Sequence, residues 1–505
     1  MIIENANVVI ITDFMDPYFW SRALGAYRIA TEVRKHGYTC QVIDCFTELT
    51  EEEKIRALNT AVGDKTLAVG ISSTFMSLIQ APTSNDGPTS TLITPKNIPN
   101  MTQLSYTENY PYQPNVMQGY FDIVKQLSPK CKIILGGAKT GYYNAPGVDV
   151  LFTGLADAAI IQYLKYLENK NPFFTMYKLQ NKEQWVVAGN NYPFDFCNST
   201  VVYDPSDNIM PGESLPIEIS RGCIFTCKFC SYPLNGKKKN DYIKPANLLR
   251  EEFIRNYNEY GVTNYVYSDD THNDNSDKLA DLAKVVQGLP FKLSFAAFLR
   301  IDLLRAKPEQ YQMLHDGGLV GCFFGLESLN YESLKAIGKG LHPDKVVEEL
   351  HRFKFVLPHV KAMGGFICGL PYETKESITK WADQIVEPSF PLVTSYIEAL
   401  MIDRSPTKLY KSEFEKETDT YYTWENNSLN KWHNGNFNRE WAINFCLERL
   451  RQNIINKRIK LAGFHTIMAR SVNVDSIPSD KRIGEIVIPL RTQMRRKYID
   501  KLFNG

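Results

Sequence analysis

A chain of 505 residues is too long for one ordinary domain, and 44% hydrophobic with 22% charged residues lets two or three domains each bury a core. A formal charge of +1 excludes a surface that binds nucleic acid throughout, and no apolar run is long enough to cross a bilayer. The opening MIIENANVVIITDF has no basic n-region and enters a strand pattern at once, so no signal peptide and a cytoplasmic location are expected.

The first part of the chain alternates strand and helix signals. Apolar runs at NVVII (7–11), TCQVIDC (39–45), LAVGISS (67–73), KIILGG (132–137) and VDVLFTG (148–154) predict strands. Helical spacing over 20–35, 51–61 and 157–169 separates them. This alternation predicts a parallel sheet covered on both faces, of the flavodoxin-like, Rossmann type. The polar stretch before Met117, rich in Pro, Ser, Thr and Asn, is longer than a normal connection and reads as an inserted flap or substrate loop.

Residues 172–214 show little periodicity and read as a linker. A second series starts at LPIEIS (215–220) and continues with strands at 264–270, 293–302, 321–328, 361–371 and 395–401. Helices over 245–260 and 276–287 each have a glycine just past the end. Six strand–helix units predict a partial (β/α)6 barrel, of the TIM type, with chemistry at the strands' C-terminal ends. The domain plan is therefore 1–171, an α/β domain; 172–214, a linker; 215–410, the partial barrel; and 411–505, a mainly helical C-terminal region.

Ten cysteines in such a chain are no disulfide scaffold, and only Cys223, Cys227 and Cys230 cluster tightly. They stand at i, i+4 and i+7 in RGCIFTCKFC, directly after a strand. Three thiolates this close can wrap one inorganic cluster. A structural zinc site needs four ligands, and the nearest histidine, His272, is over forty residues on. Three ligands leave one iron of a [4Fe–4S] cluster open. Three unrelated buried thiols, or a zinc site completed from afar, are the competing readings.

CIFTCKFC resembles the CxxxCxΦC signature of radical S-adenosylmethionine (SAM) enzymes, with Phe229 as the aromatic residue before the last Cys. SDD, FLRID, GLES and GLPYET follow in the order found in that superfamily's cobalamin-associated and methylthiotransferase-like branches, so the resemblance spans roughly residues 215–405. It implies that Cys223, Cys227 and Cys230 ligate three irons while SAM chelates the fourth, and that one-electron reduction releases a 5′-deoxyadenosyl radical. Phe229 is expected against the adenine. Ser268, Asp269 and Asp270 are expected near the methionine amino group, Glu327 and Ser328 at the ribose, and Lys339 at the methionine carboxylate. Gly369, Leu370 and Pro371 would floor the adenine pocket. Local structure offers other roles: Asp269 and Asp270 as turn caps, Glu327 in a salt bridge, Arg300 and Asp302 as a pair.

The N-terminal pattern looks like a cobalamin-binding domain. In an open parallel sheet ligands sit beyond the strands' carboxyl ends, which selects Thr12–Asp16, Ser72, Ser73, Thr74, Gly136, Gly137 and Gly154. No DxHxxG follows the first strand, and the domain's one histidine, His36, falls late in the first long helix, so no lower cobalt ligand is predicted. A flavodoxin-like domain that binds substrate or only packs is the alternative. Cys40, Cys45 and Cys131 lack the spacing for a second cluster of the methylthiotransferase type.

Between Arg451 and Gly505 twelve Lys/Arg face four Asp/Glu. A solvated basic helix is preferred there over a nucleic-acid surface. Trp432 and His433 are candidates for a lid over the barrel mouth, or for core packing. The expected partners are a small-molecule substrate and a one-electron reductant such as flavodoxin or ferredoxin. The leading expectation is a cobalamin-dependent methyltransferase acting on an unactivated carbon. A radical rearrangement, cyclisation or oxidation without methyl transfer is the first alternative, and a non-catalytic sensor that binds the cluster or cobalamin is the second.

Overall fold

The computed structural model describes residues 1–13, 19–74, 117–137, 146–178, 184–232, 234–402, 411–416, 420–425, 431–456, 458–478, 481 and 483–504. The expected flap before Met117 and the end of the Thr12–Asp16 loop lie outside these. The chain divides into two compact units.

The first unit comprises Met1–Asp195, Thr200–Pro211 and Arg491–Gly505. Its sheet is built from β1 (Val8–Ile11), β2 (Cys40–Ile43), β3 (Ala68–Ser72), β4 (Lys132–Gly136), β5 (Val150–Thr153), β6 (Tyr177–Lys178) and β7 (Trp185–Ala188). The strand order is β2-β1-β3-β4-β5-β7-β6, parallel except for the β6–β7 pair. All four residues of β1 are buried, as a strand with both faces covered requires. Helices Leu24–Lys35, Glu51–Ala61, Gln118–Leu127 and Ala159–Leu167 alternate with the strands. Thr50 starts the second with a reciprocal capping box to Glu53.

One expectation changes here and one is refined. Residues 172–214 are not simply a linker. They supply β6 and β7, and Thr200–Pro211 returns to this unit, where Asp207 takes both terminal nitrogens of Arg34 at 2.7 Å. The basic C-terminus is a helix with a solvated basic face, as expected, with Arg496, Lys497 and Lys501 exposed, but its other face is buried. Ile483–Asn504 is one helix carried through Pro489, which interrupts the helical signal in the sequence. Its last residues pack in this unit: Tyr498 and Leu502 are buried, Arg491 pairs with Glu48 (2.9 Å) and Arg495 with Glu53 (3.2 Å).

The second unit comprises Phe196–Ser199 and Gly212–Leu490. Its six strands, β8 (Leu215–Ile217), β9 (Asn264–Tyr267), β10 (Ser294–Leu299), β11 (Leu319–Glu327), β12 (Lys361–Cys368) and β13 (Thr394–Ala399), lie in sequence order and are all parallel. β8 and β13 are the free edges, so this is an open barrel. Alternate residues meet the surrounding helices: Tyr265 packs on Phe253, Phe324 on Phe353 and Phe366 on Trp381, with ring centroids 4.9, 5.0 and 5.3 Å apart. Their neighbours along each strand turn to the opposite face. There Phe298 of β10 meets Phe323 of β11, and a Cβ on Gly365 of β12 would touch the Phe323 ring. Of the C-terminal region expected over 411–505, the part up to Leu490 belongs to the barrel unit and the rest to the first unit.

Candidate functional site

The site is assembled at the C-terminal ends of the barrel strands. After β8 the chain is held by Asp269, whose Oδ1 accepts from the backbone N–H groups of Ile219 and Ser220, both at 2.9 Å. Asp269 is itself buried beside His272 Nδ1 (3.1 Å) and Lys278 Nζ (3.5 Å). Burial alone would raise its carboxyl, but Lys278 and His272 outweigh it and hold it below the ordinary value. Lys278 also reaches Ser220 Oγ and Thr271 O, each at 3.1 Å, and Asp274 at 2.7 Å, while Tyr242 donates to Asp274. Asp269 thus braces the cysteine loop from beneath.

The loop needs glycine at its entry. Gly222 has φ +126°, and a Cβ there would lie 2.8 Å from Leu234 O. Cys223 N–H donates to Leu234 O (3.1 Å), Gly236 N–H to Phe225 O (3.1 Å) and Lys237 N–H to Cys223 O (3.0 Å), closing the loop on residues 234–237. The Cys223 thiol donates to Thr271 Oγ1 (3.3 Å), Cys227 Sγ accepts from Arg300 Nη1 (3.3 Å), and Cys230 Sγ accepts from Asn235 Nδ2 (3.1 Å). Burial raises the Cys223 and Cys230 thiols. The side chains do not form a preassembled cage: among the described residues no three Cys, His, Asp or Glu converge on a metal-sized space. The fit to an iron–sulfur cluster lies in the donor set. Three sulfurs share one loop, and two of them already receive N–H donors of the kind that stabilise thiolate ligands.

Phe229 is half-buried on the same loop, and Ser268 is exposed where β9 ends. Asp270 is half-buried, and burial together with the charge of Asp269 pushes its carboxyl up to about 6. At the end of β11 a bulge in the pairing with β12 and a left-handed backbone at Glu327 (φ +67°) turn its carboxylate toward Gly325, whose Cβ would lie 2.6 Å from Oε1. Lys339 Nζ pairs with that oxygen at 2.8 Å. Two residues expected at different parts of SAM are therefore partners of each other.

Ser328 is buried and donates to Glu373 Oε1 at 2.7 Å, while Glu373 Oε2 accepts from Gly369 N–H (3.0 Å) and Leu370 N–H (3.1 Å). Burial pushes the Glu373 carboxyl up to about 7. Gly369 has φ +114°, and a Cβ there would meet Trp432 Cη2 at 2.2 Å. Trp432 is fully buried and donates to Leu400 O at 2.9 Å, so it packs under the turn and is not a lid; His433 Nδ1 accepts from Gly435 N–H (2.9 Å). Arg300 and Asp302 pair at 2.7 Å, as one reading allowed. Sequence reasoning missed the supporting roles of Thr271, Asn235, Lys278 and Glu373. Only Glu373 had a signal, as part of GLPYET.

In the first unit, sheet order reverses between β1 and β3, the place where open sheets take ligands. Ser72 ends β3, and Ser73 N–H donates to Gly136 O (2.7 Å) at the end of β4. A Cβ on Gly137 (φ +103°) would fall 2.9 Å from Thr74 Oγ1 and 3.0 Å from Ser73 Oγ; Gly154 (φ +80°) directly follows β5. The hydroxyls of Thr12 and Ser73 are buried without a hydrogen-bond partner among the described residues. Two orphaned hydroxyls beside closely approaching backbone at a switch point fit a bound group with polar edges. His36 is exposed at the end of helix Leu24–Lys35, its Nδ1 2.9 Å from Glu32 O, away from those strand ends. Cys40 and Cys131 are buried thiols pushed up to about 12 by that burial.

An open parallel barrel with a three-cysteine loop after its first strand defines a class of cluster-dependent enzymes. Residues 217–385 match the Radical SAM superfamily model, and this chain carries a radical SAM domain, the kind that binds a [4Fe–4S] cluster and SAM. Among curated proteins, "Uncharacterized methyltransferase PH0819" of Pyrococcus horikoshii is 24% identical over 270 residues, 51% of this chain and 58% of that protein. The anaerobic magnesium-protoporphyrin IX monomethyl ester cyclase of Cereibacter sphaeroides is 23% identical over 279 residues, 51% of this chain and 44% of the cyclase. The chain thus spans about half the length of these relatives. Among solved structures, the radical SAM methyltransferase TsrM of Kitasatospora setae, with cobalamin and a [4Fe–4S] cluster bound, aligns with a TM-score of 0.57 at 13% identity, covering 80% of this chain and 77% of that one. That likeness shows the fold. Among the described residues no helix is long and apolar enough to cross a membrane.

Proposed function

We propose that this chain is a cobalamin-dependent radical SAM methyltransferase acting on an unactivated carbon of a small molecule. The observation that carries the reading is the cysteine loop. Cys223, Cys227 and Cys230 share one turn at a barrel strand end, braced by Asp269 and supplied with N–H donors. When bound, the cluster supplies the electron that splits SAM into methionine and a 5′-deoxyadenosyl radical, and cobalamin supplies the methyl group.

The chain's own residues hold and shield. The three cysteines hold the cluster. Phe229, Ser268, Asp270, Glu327, Ser328 and Lys339 border the SAM site, and the turn at Gly369 forms its floor. Ser72, Ser73, Gly136, Gly137 and Gly154 would carry cobalamin at the strand ends of the first unit. Tryptophan is the substrate in one TsrM complex, which supports a small-molecule substrate here. A flavodoxin or ferredoxin is the proposed electron donor. A nucleic-acid partner has little support, since Arg491 and Arg495 of the basic helix are engaged by Glu48 and Glu53.

Anaerobic reconstitution with iron, sulfide and hydroxocobalamin tests both cofactors through metal counts and visible spectra. Methyl-labelled SAM should then leave label in the product, and Cys227→Ala should abolish 5′-deoxyadenosine formation. Likeness to the cyclase supports a second reading, radical ring chemistry without methyl transfer. A product free of label would select it, and a wild type that binds the cluster but never cleaves SAM would select a sensor.

A further inference from the structure

We propose that Arg300 is a positioning residue that holds a fixed positive N–H donor on the cluster ligand Cys227 and so raises the cluster's reduction potential. This inference rests on the cluster reading above. Its observations are separate from the cysteine spacing.

The guanidinium is fixed on every side. Nε and Nη2 form a two-point pair with Asp302 Oδ1 (3.0 Å) and Oδ2 (2.7 Å). The guanidinium carbon stands 3.8 Å from the centroid of the Phe225 ring, which belongs to the cysteine loop itself. The remaining nitrogen, Nη1, donates to Cys227 Sγ at 3.3 Å. The backbone is held equally firmly: Arg300 N–H donates to Asn273 Oδ1 (2.8 Å), and Asn273 Nδ2 donates to Arg300 O (3.0 Å) and Gln310 Oε1 (3.1 Å). Arg300 is 7% exposed, so its field at the sulfur is weakly screened.

Asp302 takes Nε and Nη2 and leaves Nη1 to donate to the sulfur. One-electron reduction adds a negative charge to the cluster and its thiolates, and an N–H donor on a ligand sulfur stabilises that more negative state. Asp302 and Phe225 act through Arg300 by aiming it. A SAM-carboxylate role for Arg300 would leave the sulfur contact without consequence, and this separates the two in the test.

The test is a redox titration of the reconstituted holoenzyme without SAM, read by the electron paramagnetic resonance signal of the reduced cluster. Arg300→Gln should lower the reduced-to-oxidised ratio at a fixed poise by about tenfold, equivalent to 59 mV for one electron, with iron content unchanged. Arg300→Lys should recover part of that loss. Phe225→Leu, which removes only the stacking platform, should shift the ratio in the same direction by less, and it decides the matter if Arg300→Gln loads no cluster. An unmoved potential in these variants overturns the proposal, whether or not SAM affinity falls. A wild type that takes up no iron overturns the cluster reading and this inference with it.

Discussion

The Ser328 hydroxyl donates to the buried Glu373 carboxyl at 2.7 Å, and through it the end of β11 is tied to the Gly369–Leu370 turn after β12. Both strand ends are proposed to border SAM, so one carboxyl sets their spacing. Its acidity makes the tie dependent on pH. Burial moves Glu373 from 4.5 to about 7, so the folded chain keeps this proton where the unfolded chain has lost it. Stability from this group is fully present below pH 4.5 and falls as pH rises to about 7, by roughly 3 kcal/mol across the window. Glu373→Gln cannot ionise, and its amide can donate to Ser328 Oγ, so its unfolding free energy should be flat where the wild type declines. Glu373→Ala strands two backbone N–H groups and has nothing to ionise, so its deficit should be about 3 kcal/mol below pH 4.5 and should shrink as the wild type declines toward pH 7. Parallel pH curves for wild type and Glu373→Gln would refute the assignment.

Glu327 and Lys339 form a pair whose side chains are each 11% exposed. Removing one partner leaves a nearly buried charge alone. Lys339→Met should cost about 3 kcal/mol, and the double variant Glu327→Gln, Lys339→Met should recover most of it. A double-mutant cycle by denaturant unfolding measures the coupling, and strict additivity would mean that the pair is inert. SAM affinity, followed by calorimetry, should fall in both single variants.

Gly369 tests the packing role of Trp432, one of its two expected readings. Any side chain at 369 meets both a left-handed backbone, φ +114°, and the Trp432 ring. Gly369→Ala should destabilise the barrel unit by about 3 kcal/mol or more, from backbone strain and overpacking together. Trp432→Leu in the same chain should relieve the overpacking part but not the strain. If Gly369→Ala is neutral by thermal unfolding, the turn does not rest on Trp432 as described.

The contrast between residues legible in the sequence and those that were not has a physical basis. Cys223, Cys227 and Cys230 are contiguous on one loop, so their spacing alone shows them. Their supports come from other strand ends: Thr271 is 48 residues from Cys223, and Arg300 is 73 from Cys227. No local period encodes such pairs. The central strands were readable because burial on both faces forces continuous apolar runs such as VVII, whereas β6 is only Tyr177–Lys178, both exposed, and leaves no pattern. Glu327 and Lys339 were expected at separate parts of SAM, the ribose and the methionine carboxylate. Their pairing depends on a bulge and a left-handed residue that residue types do not specify.

Ser73 offers a prediction that is independent of the barrel. Its hydroxyl is fully buried and unpartnered among the described residues, and its backbone is clamped to Gly136. A buried hydroxyl without a partner costs stability, about 1–3 kcal/mol, unless a ligand satisfies it. Ser73→Ala should therefore stabilise the protein without cobalamin by about 1 kcal/mol. The same change should weaken retention of hydroxocobalamin on gel filtration. Gly137→Ala should abolish retention by pushing Thr74 and Ser73 apart at φ +103°. The cluster signal should be untouched in both variants, because these residues and the three cysteines belong to different units. If Ser73→Ala instead destabilises the protein without cobalamin and retains the cofactor fully, the hydroxyl serves the fold, and the switch point between β1 and β3 is not where the cofactor is held.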